Sequence, residues 1–294
     1  LRKVVIAGSS GFIGRYLVNK YESLGYDVLT ISRNEPSITW NHKEEIIAAL
    51  ENADLLINLA GKSVNCRYNE KNKHEILTSR TGTTKILGDA IKACQNPPEL
   101  WINSSTATIY RHAEDRPMTE KDGEIGTGFS VDVGKKWEKA FFSFNLPNTR
   151  QIALRLAIVL GPNGGVMTPY KNLVKLGLGG KHGTGKQMFS WIHIEDLSRS
   201  IDFVHDRKNL EGVFNCSSPN PVTNQEFMRQ LRDVMKKNYG LPANKWMLEA
   251  GAIALRTETE LLLKSRWVVP ERLIQVGFTF AFPTIRETFV DLTR

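Results

Sequence analysis

Apolar positions along the chain fall into two alternating patterns. Short runs rich in β-branched residues ("KVVIAG", "DVLTISR", "DLLINLAG", "ELWINSST" and "RQIALRLAIVLGP") read as strands. Between them lie longer stretches in which apolar residues recur three and four apart, as at Ile13, Leu17 and Tyr21 of "IGRYLVNKYESLG". Further helices are expected in "HKEEIIAALENA", "SRTGTTKILGDAIKAC" and "DVGKKWEKAFFSF". Strands separated by helices predict βαβ units, and hence a parallel sheet covered on both faces. With right-handed crossovers this becomes a doubly wound parallel sheet, the Rossmann type of α/β fold, expected over residues 1–162.

After Pro162 the pattern changes. "NGGVMTPYKNLVKLGLGGKHGTGKQ" is glycine-rich and irregular, with one helix in "TPYKNLVKLG". "WIHIEDLSRSIDFVHD" reads as a strand entering a helix and "GVFNCSS" as a short strand, so residues 190–218 are expected to return to the first domain. "TNQEFMRQLRDVMKKN" is helical, with Thr223 or Asn224 as its cap. The tail from Ser265 mixes a short strand, a turn and a terminal helix. Residues 163–294 are therefore expected to form a smaller α+β lobe on the substrate side. There is no internal repeat and no low-complexity tract.

Composition adds mainly exclusions. A hydrophobic fraction of 41% and a charged fraction of 24% in 294 residues suit an ordinary globular chain with ample core. No apolar run approaches the ~18 residues of a membrane span, and from Leu1 the chain enters a strand with no leader-like segment, so no membrane partner is expected. Cys66, Cys94 and Cys216 are odd in number and scattered, which argues against disulfides and zinc and suits a cytoplasmic location. The net charge of +8 is spread along the chain without a dense basic block. Solvated helix faces account for it best, phosphorylated ligands come next, and no nucleic-acid motif accompanies it.

The chemistry begins at "GSSGFIG", where Gly8, Gly11 and Gly14 follow a strand and open a helix. Such a turn bends tightly, lets a pyrophosphate approach the backbone and presents helix N-terminal amides to it. Gly8 makes the turn, Gly11 admits the phosphates, and Gly14 lets the helix pack; Ser10, Phe12 and Ile13 complete the expected cradle. At the end of the second strand, where an acidic residue would select NAD by bonding the ribose, the chain has Ser32 and Arg33. A hydroxyl and a guanidinium suit a 2′-phosphate, so NADP(H) is the expected cofactor.

These motifs resemble those of the extended short-chain dehydrogenases/reductases, including nucleotide-sugar epimerases. "DLLINLAG" resembles the strand whose Asp54 lies near the adenine and whose Leu59, Ala60 and Gly61 pass over the cofactor. "SSTATIY" resembles the strand end carrying a catalytic Ser or Thr, here Thr106. "LRLAIVLGP" resembles the strand in which Arg155 and Gly161–Pro162 precede the substrate lobe, and "SWIHIEDL" the return segment with His193 and Asp196. The whole chain is similar to the epimerase-family proteins described as cell-division-inhibitor-like, which carry a C-terminal domain of unknown function. That resemblance implies that Glu75 and Arg80 of "HEILTSR" lie beside the cofactor, and analogy with relatives implies a homodimer.

One expected element is missing. Extended enzymes carry Tyr-x-x-x-Lys on the helix after the "SSTATIY" strand, where the ammonium lowers the phenol pKa for proton transfer. Here Ser130 stands at the tyrosine position and Gly134 at the lysine position, and no tyrosine occurs between Tyr110 and Tyr170. Tyr110 is the substitute proposed for catalysis beside Thr106. Lys135 or Lys136 as a charge source and His193 as a proton donor are weaker alternatives; Trp137 and Trp191 read as packing aromatics and Cys66 as inert. Two functions follow from this reading: an NADP(H)-dependent oxidoreductase acting on a small carbonyl or nucleotide-sugar-like substrate, or a non-catalytic NADP(H)-binding sensor.

Overall fold

The computed structural model describes residues 2–162, 164–244 and 263–294. The apolar runs form β1 (Lys3–Ala7), β2 (Asp27–Ser32), β4 (Leu55–Asn58), β5 (Leu100–Thr106), β6 (Arg150–Leu156) and β10 (Gly212–Cys216), with a short edge strand β3 (Ile38–Thr39). They lie in the order β10-β6-β5-β4-β1-β2-β3, every pairing parallel, with Val5 opposite both Leu29 and Leu56. All four residues of β4 are buried, as expected where helices cover both faces of a parallel sheet.

Alternation within β1 divides the core. Val4 and Ile6 face α1 (Phe12–Ser23) and α6 (Ile194–Asp206), meeting Leu17, Tyr21, Leu197, Ile201 and Val204. Val5 and Ala7 face the opposite layer of α2 (Lys43–Leu50), α3 (Glu70–Ala93) and α4 (Phe129–Phe142), meeting Ile46, Leu50, Leu87, Ile91 and Phe141. The expected doubly wound fold is therefore present. Among the described residues no helix is long and apolar enough to cross a membrane.

Three details depart from the sequence pattern. Helix α3 begins well before "SRTGTT", because the Asn69 side chain accepts a hydrogen bond from the Asn72 amide (2.8 Å) and caps a polar first turn that has no apolar rhythm. "RQIALRLAIVL" is two strands. After β6 the chain leaves the main sheet, and β7 (Ile158–Leu160) pairs in parallel with β9 (Trp191–His193), Leu160 opposite His193. The strand expected in the tail is reduced to a single bridge between Met118 and Val268.

The smaller lobe packs α5 (Met167–Lys175), β8 (Met188–Phe189), β11 (Val222–Thr223), α7 (Asn224–Val234) and α9 (Ile285–Leu292) around Tyr170, Phe189, Trp191, Phe227 and Phe289. Of the two cap candidates Thr223 is the one used: its Oγ1 accepts from the Glu226 amide (3.2 Å), whereas buried Asn224 is the first helical residue and its Oδ1 accepts from the His182 amide (2.8 Å), outside α7. Thr284 and Glu287 cap α9 reciprocally. The tail does not belong wholly to this lobe. Around α8 (Glu271–Gln275), Leu273 and Phe278 pack into the core of the main sheet, and Arg272 lies 3.9 Å over the Phe214 ring of β10. Asn163 and residues 245–262, within the range expected for the lobe, lie outside the described residues.

Asp196 joins the two parts. Fully buried in α6, its carboxylate accepts from the amides of Ala281 and Phe282, both at 2.8 Å, and from Arg199 at 2.8 Å. Removing it leaves two part-buried amides without a partner, so Asp196→Ala is expected to lower unfolding free energy by about 2–4 kcal/mol. Urea titration checks this, and a loss below about 0.5 kcal/mol would contradict the anchoring role.

Burial also sets a pH dependence. His182, His193 and His205 all have pKa values held below the ordinary 6.5 by desolvation. The unfolded chain takes up these protons first. The stability they confer is therefore complete above pH 6.5 and is lost as pH falls through the folded values. Denaturant curves between pH about 7 and about 5.5 should show falling stability, with a shallower slope in His182→Gln.

Candidate functional site

The carboxyl ends of the strands carry the site, beginning with the turn after β1. Gly8 has φ +83°, a conformation that L side chains rarely adopt. A Cβ there would stand 2.7 Å from the Ala60 nitrogen, so the segment following β4 lies directly on it. At Gly14 a Cβ would stand 2.7 Å from Ser9 Cα, which lets α1 sit on the turn itself. Gly11 is the N-cap of α1 and has no side chain to cap the first turn. The leading amides of Phe12, Ile13 and Gly14 are thus free by helix geometry to bond an anion. Ser10 is exposed beside them, its carbonyl accepting from Arg15 Nη1 (2.7 Å). The ring of Phe12 packs against Gly161, Gly164 and Gly165, and a Cβ on Gly161 would come within 2.6 Å of it.

One strand further out, Ser32 is buried and engaged within its own turn. Its Oγ donates to the Asn34 carbonyl (2.9 Å) and accepts from the Asn34 amide (3.3 Å). Arg33 is exposed and has no ion pair among the described residues. Asp54 is at the wrong end of the sheet for an adenine. It precedes β4, and its Oδ2 accepts from the amide of Lys3, the first residue of β1 (2.6 Å), whereas Gly8 lies past the opposite end of that strand.

Beside the glycine turn, at the ends of β4 and β5, lies a cavity of about 240 Å³. Leu59, Ala60 and Gly61 line it from one side, Thr106 from the end of β5, Arg80 from α3, and Ser130 and Trp137 from α4. Thr106 Oγ1 accepts from the Thr108 amide (3.1 Å), and its own proton has no acceptor among the described residues. Buried polar side chains hold this edge together. Asn58 Nδ2 donates to Asn103 Oδ1 (2.7 Å), Asn58 Oδ1 accepts from the Ala60 amide (3.0 Å), and Trp137 Nε1 donates to Thr84 Oγ1 (3.0 Å). Sequence reasoning missed Asn58, Asn103 and Thr84; the available signal was two asparagines inside apolar strand runs.

Several candidates stand elsewhere. Tyr110 is not a proton source for the cavity: it is 2% exposed, its hydroxyl donates to Asn215 Oδ1 (2.9 Å), and Arg155 Nη1 donates to it (2.8 Å). Desolvation raises its pKa despite that guanidinium. Arg155 in turn makes a two-pronged pair with Glu138 (2.8 Å at each prong), whose Oε1 also accepts from Ser105 (2.6 Å). Glu75 does not line the cavity and pairs instead with Lys62. Lys135 and Lys136 are exposed on α4 and also lie outside the lining. His193 is 4% exposed, accepts from the Glu195 amide (3.1 Å), stacks on Phe282 and faces Asp291, so it is a helix cap and not a proton donor to the cavity. Trp191 is buried in the smaller lobe, and Cys66, in the loop between the lining residues Val64 and Tyr68, is not itself part of the lining.

A parallel sheet with helices on both faces, a glycine turn after its first strand and a cavity at its carboxyl edge defines an α/β protein of the Rossmann type. The model of the NAD dependent epimerase/dehydratase family matches residues 4–217, and the chain belongs to that family. Residues 245–292 match a domain of unknown function, DUF1731, described here from residue 263 onward. The chain is similar to epimerase family protein SDR39U1 of Mus musculus, 31% identical over 99% of both chains. It is also similar to epimerase family protein YfhF of Bacillus subtilis, 29% identical over 95% of this chain and 94% of the relative. Among solved structures, human SDR39U1 with NADPH superposes with a TM-score of 0.90 at 30% identity, covering 99% and 98% of the two chains. A nucleoside-diphosphate sugar epimerase of Corynebacterium glutamicum gives 0.80 at 27% identity, covering 99% of this chain and 58% of its own.

The position expected for lysine is tight at its first side-chain carbon. A Cβ on buried Gly134 would stand 3.1 Å from Thr106 Cγ2 and 3.5 Å from Ile109, and Thr106 cannot rotate freely while its hydroxyl accepts from Thr108. Gly134→Lys is therefore expected to destabilise the fold by about 1–3 kcal/mol through overpacking, read as a lowered melting temperature. Unchanged stability would mean that α4 has room to retreat.

Proposed function

We propose that the chain is an NADP(H)-dependent oxidoreductase of the extended short-chain type, acting on the carbonyl or alcohol group of a substrate held in the cavity. The observation that carries this reading is the cradle at Gly8 and Gly14, where backbone contacts that no side chain could share leave the first amides of α1 open to a pyrophosphate. Gly8, Ser10, Gly11, Phe12, Ile13 and Gly14 hold the phosphates, while Leu59, Ala60 and Gly61 lie along the path to the cavity. Arg33, exposed and without an ion pair among the described residues, takes the 2′-phosphate beside Ser32. The NADPH in the human relative supports the choice of phosphate form.

When bound, such a cofactor gives or accepts a hydride. The chain's own contribution is to orient the reacting oxygen, and the uncommitted hydroxyl proton of Thr106 is placed to bond it. With Tyr110 sequestered, the balancing proton comes from water admitted to the cavity. The loss of the tyrosine–lysine pair and the burial of Tyr110 favour one other reading, a non-catalytic NADP(H)-binding sensor.

Calorimetric titration tests the cofactor. NADPH should bind at least about tenfold more tightly than NADH, and Arg33→Ser should remove most of that preference while leaving NADH affinity unchanged. Equal binding of the two cofactors would overturn the phosphate assignment. Turnover of a carbonyl panel that is lost in Thr106→Val supports the enzyme. Tight NADPH binding with no turnover of any member supports the sensor.

A further inference from the structure

The cavity contains a cation without an anion. Arg80 leaves α3 and lies over the ring of Trp137, its guanidinium carbon 5.2 Å from the centroid. Gly61 crowds it so closely that a Cβ there would come within 3.0 Å of the same carbon. Its Nη1 donates to the carbonyls of Lys62 (3.0 Å) and Ile76 (2.9 Å), so the group is held in place by contacts that bring no negative charge. No carboxylate pairs with Arg80 among the described residues. Two nearby carboxylates are already committed, Glu75 to Lys62, and Glu138 to Arg155 and Ser105. Desolvation pushes the Arg80 pKa down to about 10, opposed only by the Tyr68 phenol.

The geometry selects the missing partner. With Nη1 turned to the two carbonyls, the Nε–Nη2 edge has no hydrogen-bond partner among the described residues, and that edge offers two parallel N–H groups. Two parallel donors match two oxygens of a carboxylate or of a phosphate, so the choice between them falls to the surroundings. The cofactor phosphates are provided for at the N-terminus of α1, whereas Arg80 shares its cavity with Thr106 and Ser130.

We propose that the cavity receives a small carboxylate-bearing substrate, its carboxylate held by the Nε–Nη2 edge of Arg80 and its reacting oxygen taken by Thr106. This names the substrate class of the oxidoreductase and, in its second half, rests on that reading. A lysine on α4 would have supplied a cation at this end of the site. Here the cation arrives from α3, fixed by Trp137 one turn beyond Gly134.

The test titrates the NADPH-loaded full chain with oxalate, following NADPH fluorescence, with inorganic phosphate at equal ionic strength as the contrasting arm. Oxalate should bind saturably and phosphate should not. Arg80→Gln should weaken oxalate binding about tenfold or more while the NADPH dissociation constant stays within about threefold. Arg80→Lys, which keeps the charge and loses the fork, should also weaken it, and this variant carries the test if Arg80→Gln does not fold. Absence of oxalate binding to the parent chain, phosphate binding as well as oxalate, or oxalate affinity untouched by both substitutions would each overturn the proposal. If NADPH does not bind the parent chain, the cofactor reading falls on its own. Calorimetric titration of the unloaded chain with oxalate then decides the carboxylate site separately.

Discussion

The end of β1 is pressed between two other pieces of backbone, and the site is organised around that contact. Residues 59–60, emerging from β4, lie against Gly8 on one side, and α1 turns down onto Ser9 at Gly14 on the other. Neither approach tolerates a β-carbon. Because both are made, the first turn of α1 stands at the carboxyl edge of the sheet with its amides outward, and the chain after β4 runs past it toward the cavity. The amide network of Asn58, Asn103 and Thr84 continues the same edge into β5 and α4. A buried polar network of this kind is stabilising only when its members are satisfied together, which ties the shape of the cavity to the packing of α3 and α4 on the sheet.

Helix α4 departs from the family pattern through packing as much as through the identity of its side chains. Gly134 lets the helix close on Thr106, so that even a β-carbon there would press on the Thr106 methyl group at 3.1 Å. Ser130 and Trp137 remain on the cavity face, and the charge beside them comes from Arg80 on the neighbouring helix. Below Thr106, the ion pair of Arg155 with Glu138 and the bonds to Tyr110 and Asn215 form a closed polar floor. Breaking one partner of such a pair strands the other charge, which explains how a tyrosine near the reacting centre can be structural.

The smaller lobe is held to the sheet by a few long-range contacts. Asp196 binds the amides at 281 and 282, and Leu273 and Phe278 return to the core beside α6 and β10. The boundary between the lobes is therefore crossed more than once. The cavity opens at the carboxyl edge of the sheet, where the chain passes from one lobe to the other.

Much of this was legible in the residue order. Continuous apolar runs such as "VVIA" and "LLIN", alternating with helical stretches, fit a parallel sheet covered on both faces, and the glycine spacing between the first run and a helix fits a tight strand–helix turn. The gap left by Ser130 and Gly134 was equally plain. These are local facts, set by steric rules acting within a few residues. The fates of Tyr110, Glu75, Asp54 and Arg80 were not local. The partner of the Tyr110 hydroxyl lies 105 residues away, and Asp54 is bound by an amide 51 residues before it. The Arg80 guanidinium is shaped by Trp137 on another helix. Whether a polar side chain serves a ligand or the fold depends on which donors and acceptors surround it once solvent is excluded, and only the tertiary structure brings those groups together.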